Sequence, residues 1–211
     1  MTSRRAVLGC LLASTVGLAG CAVSDPTQYY TLRQPAAAGT APAGATASTA
    51  QRGAAEPGAA IIGVGPVIMP AYLDRAQLVT RTDADQVQIA MFHRWAEPLP
   101  DGVARVLGEE IGARVGTERI VTFPWRGVVA RTIQYQVVLA VLRFDGRPGG
   151  DVTLDTRWRI LGRSGNELAF GRFTKVEATG GPGYEAMIDA MTRALLLLGQ
   201  EIAAQLRTAP R

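Results

Sequence analysis

The stretch that most constrains the fold is residues 134–144, QYQVVLAVLRF. Its length and β-branched content favour a strand, in which successive side chains point to opposite faces. One face carries Tyr135, Val137, Leu139 and Val141, and the other carries Val138, Ala140, Leu142 and Phe144. A strand that is apolar on both faces needs cover on both faces. This predicts a central position in a layered arrangement of helices and sheet.

The other elements follow from hydrophobic periodicity. Alternating apolar positions predict strands, and apolar positions three and four residues apart predict helices. The predicted strands are 61–68, 77–81, 87–92, 119–125, 134–144, 152–161 and 167–176, and the predicted helices are 101–115 and 184–206. Residues 29–32 are a short β-prone run, either a first strand or an incidental aromatic pair in a tether. Asp101 is the expected N-cap of the first helix and Gly116 its expected stop. The last three strands predict an antiparallel meander.

This order of elements predicts the fold class. It favours an α/β fold with α+β character, in which a mixed, largely antiparallel sheet has two main helices packed on it. The second helix carries one apolar stripe, formed by Tyr184, Met187, Ile188, Met191, Leu195, Leu198, Ile202 and Leu206. Burying a large apolar side chain is worth about 1.5–3 kcal/mol. We therefore interpret the stripe as core, and a lipid groove along it is the alternative.

The N-terminus has the pattern of a bacterial lipoprotein signal. Arg4 and Arg5 precede an uncharged apolar run over residues 6–20, which is short for a membrane span and fits a secretory signal peptide. The run ends in Leu-Ala-Gly directly before Cys21, which is the lipobox pattern; an ordinary signal peptide with a chance cysteine is the alternative. We predict a signal peptide at 1–20 and a diacylglycerol and an N-acyl chain on Cys21, with no other cofactor.

Cysteine usage agrees with this prediction. Cys10 leaves with the signal peptide, so Cys21 is the only thiol of the mature chain and no intrachain disulfide can form. The residue after the acylated cysteine predicts the membrane to which the lipoprotein is sorted. An aspartate at that position favours the inner membrane, and this chain has Ala22 there. By that sorting rule we expect the protein at the outer membrane, on its periplasmic face.

A single folded domain is expected after a short tether. The tether covers residues 21–27 and the domain 28–207. Within the domain, residues 34–60 are rich in Ala, Gly, Pro and Thr and have no periodicity, which predicts a flexible loop. A spacer between membrane and domain is the alternative for this segment.

The sequence offers little catalytic or metal-binding chemistry. His93 is the chain's one histidine, and with Glu97 it provides two metal ligands at most, so no metal site is expected. Asp74 and Arg75 predict an ion pair at a turn rather than an acid/base pair. The net charge of +4 comes without a run of basic residues, and Lys175 is the only lysine, so nucleic-acid binding is not expected. We predict that the chain is not an enzyme.

Four motifs resemble one known family. They are GVGPV at 63–67, P-x-Y-L-D-R at 70–75, L-V-T-R at 78–81 and H-R-W-A-E-P-L at 93–99. Together they resemble the ABC-type transport auxiliary lipoproteins, the family of the paraquat-inducible protein PqiC. The resemblance implies a compact domain similar to the N-terminal part of TolB.

The resemblance also implies a function and partners. Members of this family look like accessory lipoproteins of MCE-type lipid transport systems, which support phospholipid trafficking and envelope integrity. The implied partners are a periplasm-spanning MCE-domain protein with its inner-membrane permease and ATPase, and phospholipid; a homo-oligomeric ring around the conduit is a further expectation. The expected partner-contact residues are Pro70, Tyr72, Leu73, Asp74, Arg75, His93, Trp95 and Glu97. Trp95 is the expected exposed anchor of that surface, with a core tryptophan as the alternative.

A structural or regulatory lipoprotein, such as a cell-wall synthase activator, is the second class of function.

Overall fold

The computed structural model describes residues 26–33 and 60–209. The described strands are β1 (Gln28–Tyr30), β2 (Ile62–Ile68), β3 (Gln77–Arg81), β4 (Val87–Trp95), β5 (Ile120–Thr122), β6 (Tyr135–Gly146), β7 (Asp151–Gly162) and β8 (Glu167–Ala178). The described helices are α1 (Leu99–Val115), α2 (Gly127–Thr132) and α3 (Tyr184–Thr208). The predicted signal peptide, Cys21 and residues 34–59 of the predicted loop lie outside the described residues.

Strand β6 lies at the centre of the sheet, as its two apolar faces predict. Along one edge it pairs in parallel with β2, and its last residue, Gly146, pairs with Thr80 of β3. Along the other edge it pairs with β7 over its full length, and β7 in turn pairs with β8. Both of these ladders are antiparallel, which confirms the predicted meander. Strands β4 and β1 extend the sheet beyond β3, and β5 extends it beyond β2.

The two long helices cover one face of the sheet. Val64 of β2 faces α1, because a Cβ on Gly108 would approach its side chain to 3.7 Å. Trp158 of β7 faces α3, since its indole Nε1 donates a hydrogen bond to Glu201 at 3.0 Å. The strand register shows that Val64 and Trp158 lie on the same face of the sheet. Val64 pairs with Val137 of β6, and Leu139, two residues further on that face, pairs with Trp158. The fold class expected from the sequence, a mixed sheet with two main helices packed on it, is confirmed.

The opposite face of β6 is only partly covered, whereas the sequence predicted cover on both faces. Val138 on that face is buried, but Leu142 is 38% exposed. The ladder to β7 is irregular between Val141 and Arg143, and this irregularity returns Phe144 to the helix side, where it is buried. The strand therefore keeps its central position with a single layer of helices.

The apolar stripe on α3 is core, as predicted. Met187, Met191, Leu195, Leu198 and Ile202 are all buried in the hydrophobic core together with residues of α1 and of β7. Glu110 and Gly199 mark the close approach of the two helices, since a Cβ on Gly199 would lie 2.7 Å from Cγ of Glu110. These five residues of the stripe pack against the protein interior, and Leu206 at its end lines a cleft that is described below.

The first helix begins two residues earlier than expected. Its N-cap is Pro98 rather than Asp101, and no side chain caps it. Pro100 suits the first turn because its fixed φ is already helical. Asp101 then lies within that turn, where a carboxylate is favoured by the helix dipole. The predicted stop at Gly116 is confirmed by its left-handed φ of 77°.

The segment after α1 also differs from the expectation. The predicted strand 119–125 is limited to β5, because Phe123 makes the last backbone hydrogen bond to β2, from its N–H to the Val64 carbonyl at 2.9 Å. The next residues turn over the sheet, where Trp125 and Ile133 contact the position of Gly63. The short helix α2 was not predicted. None of its residues is buried, so its sequence lacks the apolar periodicity that would predict a helix.

Candidate contact surface

The structure brings together the two segments that were predicted to form a contact surface. Residues 74–76 and residues 95–99 line one cleft of about 310 Å³. One backbone hydrogen bond joins the segments, from the Trp95 N–H to the Ala76 carbonyl at 2.7 Å, and another closes the preceding turn, from the Leu73 N–H to the Pro70 carbonyl at 2.9 Å. We call this feature the 74–99 cleft.

Trp95 is not the exposed anchor that was predicted. It is only 7% exposed and belongs to the hydrophobic core, as does Leu73. The physical reason is its place in the sheet: β4 continues through residue 95, and Tyr30 of β1 pairs beside Trp95. The core alternative is therefore correct, and Trp95 forms the floor of the 74–99 cleft.

Tyr72 anchors the 70–75 turn to the central strand. Its hydroxyl donates a 2.7 Å hydrogen bond to Oδ2 of Asp145, whose side chain is fully buried. Arg81 holds both oxygens of the same carboxylate, with Nε 2.8 Å from Oδ1 and one terminal nitrogen 2.9 Å from Oδ2. Arg143 adds a contact from Nε to Oδ1 at 2.9 Å. This Asp145 cluster joins the turn, β3 and β6.

The hydrogen bonds within the cluster determine the protonation states of its members. Burial raises the pKa of Asp145, but hydrogen bonds from Arg81, Tyr72 and Arg143 outweigh it and hold that pKa below its ordinary value. Burial and the hydrogen bond to Asp145 together raise the pKa of Tyr72 to about 12. The hydrogen bond to Asp145 is likewise the main cause that raises the pKa of Arg81. At neutral pH the cluster therefore holds a carboxylate, two guanidinium groups and a neutral phenol.

His93 belongs to an aromatic cluster rather than to a metal site. Its Nδ1 lies 2.8 Å from the Tyr30 hydroxyl, and its ring stacks on Tyr184 with centroids 3.8 Å apart. Burial, followed by the charge of Glu185, raises the pKa of Tyr30. These contacts tie β1 and β4 to the start of α3. In residues 26–33 and 60–209, no group of three His, Cys, Asp or Glu side chains could hold a metal ion.

Glu97 is held by an ion pair. It accepts a hydrogen bond from Arg105 of α1, and the same guanidinium donates to the backbone carbonyl of Leu32 at 2.8 Å. Arg105 therefore connects the end of β1, the rim of the 74–99 cleft and helix α1. This fixes the position of Glu97 on the rim, where its side chain is 30% exposed.

Asp74 and Arg75 do not form the ion pair that the sequence predicted. Asp74 is exposed, and Nε of Arg75 is buried without a hydrogen-bond partner. The Arg75 N–H bonds the Leu73 carbonyl at 2.9 Å, within the turn itself. A buried donor without a partner is uncommon in folded proteins. Arg75 lines the 74–99 cleft, but its Nε lies below the surface.

A larger cleft lies at the other end of β6. It encloses about 790 Å³ and is lined by residues from the C-terminal ends of α1 and α3 and from the β7–β8 hairpin. Tyr135, Leu168 and Leu206 give it an apolar side, and Arg163 and Arg207 give it a polar side. The Arg163 guanidinium donates a hydrogen bond to the backbone carbonyl of Arg131, and the Arg207 guanidinium donates one to that of Arg114.

Removal of the Tyr72 hydroxyl should loosen the turn. We expect Tyr72→Phe to lower the free energy of unfolding by about 1.5–3 kcal/mol, the usual worth of a hydrogen bond to a charged group. Tyr29→Phe is the matched control, because Tyr29 is exposed and its hydroxyl makes no hydrogen bond among the described residues. Urea denaturation of both variants measures the difference. Equal stabilities would contradict the role assigned to Tyr72.

Sequence reasoning selected Tyr72 but missed the groups that hold it. Asp145 lies 73 residues from Tyr72 and 64 residues from Arg81 along the chain, so local spacing does not reveal these contacts. Only Arg143 is near Asp145 in sequence. One signal was present: Asp145 comes at the end of a long apolar strand. A carboxylate at such a place needs a cationic partner when it is buried.

One membrane property can be read from the same residues. Within the described part of the chain, no helix combines the length and the apolar character needed to cross a bilayer.

Comparison with known proteins assigns the family. Residues 30–203 match the model of the family described as the ABC-type transport auxiliary lipoprotein component. No curated protein matches the chain. The crystal structure of an uncharacterized protein has a TM-score of 0.65 at 19% identity and covers 86% of this chain and 99% of its own. Protein XCC0632 from Xanthomonas campestris has a TM-score of 0.57 at 15% identity, with 72% of this chain and 85% of its own covered.

At these identities the two structures show a shared fold and no more. The family model extends over well more than half of the chain, from β1 to the last turns of α3, and so includes the Asp145 cluster and the 74–99 cleft. The protein therefore belongs to the ABC-type transport auxiliary lipoprotein component family.

Proposed function

We propose that the chain is an accessory lipoprotein of an MCE-type lipid transport system, anchored in the outer membrane and facing the periplasm. In this role it docks the periplasm-spanning MCE-domain protein and supports phospholipid trafficking by contact rather than by catalysis. The observation that carries the proposal is the family match over residues 30–203. The inner-membrane permease and ATPase of the system are then indirect partners.

The anchor in this proposal is acyl-modified Cys21. The lipobox before Cys21 and the family's lipoprotein character support it, and Ala22 supports the outer membrane as its destination. Cys21→Ser should abolish incorporation of labelled palmitate. Retention of label in this variant would contradict acylation at Cys21.

The 74–99 cleft is the docking surface in this proposal. Asp74 is exposed on one rim and Glu97 is fixed on the other. The buried members of the predicted set, Leu73 and Trp95, support the surface from below. A partner segment with a basic group near Asp74 would fit this arrangement.

A photo-crosslinking amino acid at position 74 tests the proposal in the native envelope. We expect the crosslinked product to contain the MCE-domain protein. Glu167 is the matched control position, because it is an exposed acidic residue at the opposite end of the sheet, paired with Leu161. The same substitution there should give no such product.

Each outcome has a clear meaning. A folded, acylated protein that gives no MCE-domain product at position 74 would contradict the docking surface. A cell-wall synthase in that product, without an MCE-domain protein, would favour the regulatory class of function instead.

A further inference from the structure

Strand β4 has an exposed apolar edge beside β1. Met91 is 65% exposed and Phe92 48%, and Tyr29 on β1 is 64% exposed. Val87 and Ile89 are exposed further along β4. Single exposed apolar side chains are ordinary, whereas a group of them marks a contact with another molecule or a membrane. We call these five residues the β4 edge.

The sheet leaves this edge open. β1 pairs with β4 only from Gln28↔His93 to Tyr30↔Trp95. Among the described strands, none pairs with β4 on that side between Val87 and Phe92. Met91 and Phe92 are adjacent and both exposed, in the part of β4 between Ile89 and Arg94 where its pairing with β3 is irregular. Val87 and Ile89, which alternate before this irregularity, lie on one face of the strand.

The position of the edge in the chain points to its occupant. Tyr29 is eight residues after Cys21 in the sequence. Since an extended chain spans at most about 3.6 Å per residue, Tyr29 stays within about 29 Å of the acylated residue. No other exposed apolar residue of the described domain is as near to Cys21 along the chain. The anchor therefore limits how far the Tyr29 end of the β4 edge can lie from the lipid.

Charge and polarity fit a lipid interface. The turn between β3 and β4 carries exposed Asp83 and Asp85, and the β4 edge itself includes no cation, so apolar burial rather than attraction to anionic headgroups would drive the contact. Tyrosine is favoured at the boundary between lipid and water. The unpaired backbone groups of β4 can be hydrated there, as they could not be within the hydrocarbon.

We propose that the β4 edge rests on the lipid surface to which the chain is anchored. This contact is additional to the acyl chains and fixes which side of the domain faces the membrane. It leaves the 74–99 cleft to a protein partner. The inference rests on the proposed acylation of Cys21, which is measured separately in its test.

Spin labels on the acylated protein test the contact. Because acylated Cys21 leaves the mature chain without a free thiol, Met91→Cys can be labelled alone in vesicles of phosphatidylcholine. Phe170→Cys is the matched control, since Phe170 is 74% exposed on β8, at the far edge of the sheet. The soluble reference for each label is the same variant with Cys21→Ser, produced without residues 1–20.

The readout is accessibility to oxygen, which enters lipid, and to a water-soluble nickel chelate, which does not. We expect the oxygen-to-nickel ratio to rise on vesicles at position 91 and to stay at its soluble value at position 170. Equal ratios at the two positions in an acylated protein would overturn this proposal alone. A label at 91 that stays open to water on vesicles and is shielded only by an added partner protein would also overturn it. A mass spectrum showing unacylated Cys21 would overturn the anchoring and this proposal together.

Discussion

Replacement of Asp145 by alanine should destabilise the fold by about 3–5 kcal/mol, because it breaks a buried ion pair and leaves the partner charge without compensation. Arg81 and Arg143 would lose the carboxylate that both now contact, and the Tyr72 hydroxyl would lose its acceptor. The effect should also reach the 70–75 turn, so crosslinking from position 74 should fall. Urea denaturation of the purified domain measures the loss of stability.

Asp155→Ala is the matched control for this prediction. Asp155 also accepts two hydrogen bonds from one guanidinium, at 2.9 and 2.7 Å from Arg172, but that pair lies at the surface. Water can replace those contacts, and exposed ion pairs contribute little to stability. A loss of stability in Asp155→Ala as large as that in Asp145→Ala would show that burial is not the deciding factor.

The same carboxylate predicts an acid-dependent loss of stability. A group whose pKa is lowered in the folded state stabilises the fold at pH values above its unfolded pKa, about 3.9 for aspartate. This stabilisation is lost as the pH falls through the folded pKa. The free energy of unfolding of the wild type should therefore fall more steeply below about pH 4 than that of Asp145→Asn. Parallel curves for the two proteins would contradict a lowered pKa at Asp145.

Replacement of Trp158 by alanine should cost about 3–5 kcal/mol, the usual loss when a large aromatic side chain is removed from a core. Trp158 is buried between β7 and α3, and its indole donates to Glu201. Its ring lies over Gly171, its partner on β8, where a Cβ would be 2.6 Å from Cζ2 of the indole. A side chain at position 171 therefore competes with the indole for one space.

This competition gives a test by double mutation. Gly171→Ala alone should destabilise the wild type by about 1–3 kcal/mol through overpacking. In the Trp158→Ala background the same change should cost almost nothing, because the space is then empty. A four-protein cycle of urea denaturation measures the coupling. Additive losses would contradict the contact.

Local patterns were sufficient for most of the fold. The alternation along residues 152–161 predicted β7 to within one residue at each end, and the stripe on α3 predicted its buried face. Two apolar faces on residues 134–144 predicted the central strand, although they did not reveal that only one face is fully covered. These features depend on neighbours in sequence, which periodicity detects.

The site was less accessible to sequence reasoning because its contacts are long-range. The motif residues Tyr72 and Trp95 stood out as unusual, but nothing near them in sequence indicates that one is bound to Asp145 and the other buried beneath a cleft. Asp74 and Arg75 are neighbours of opposite charge, and their sequence does not reveal that they form no ion pair. The sequence predicted these side chains as a contact surface, while their environment required the structure.

The pairing of β1 has a mechanical consequence for an anchored protein. β1 runs parallel to β4, and the segment leading from Cys21 enters it at Gln28. In the proposed anchored state, a pull from the tether along the strand axis would strain all hydrogen bonds of the ladder at once, rather than opening them one after another. Beyond the strand, buried Leu32 and the bond from Arg105 to its carbonyl oppose slippage. A strand of three residues would in this way transmit force from the proposed lipid anchor to the body of the domain.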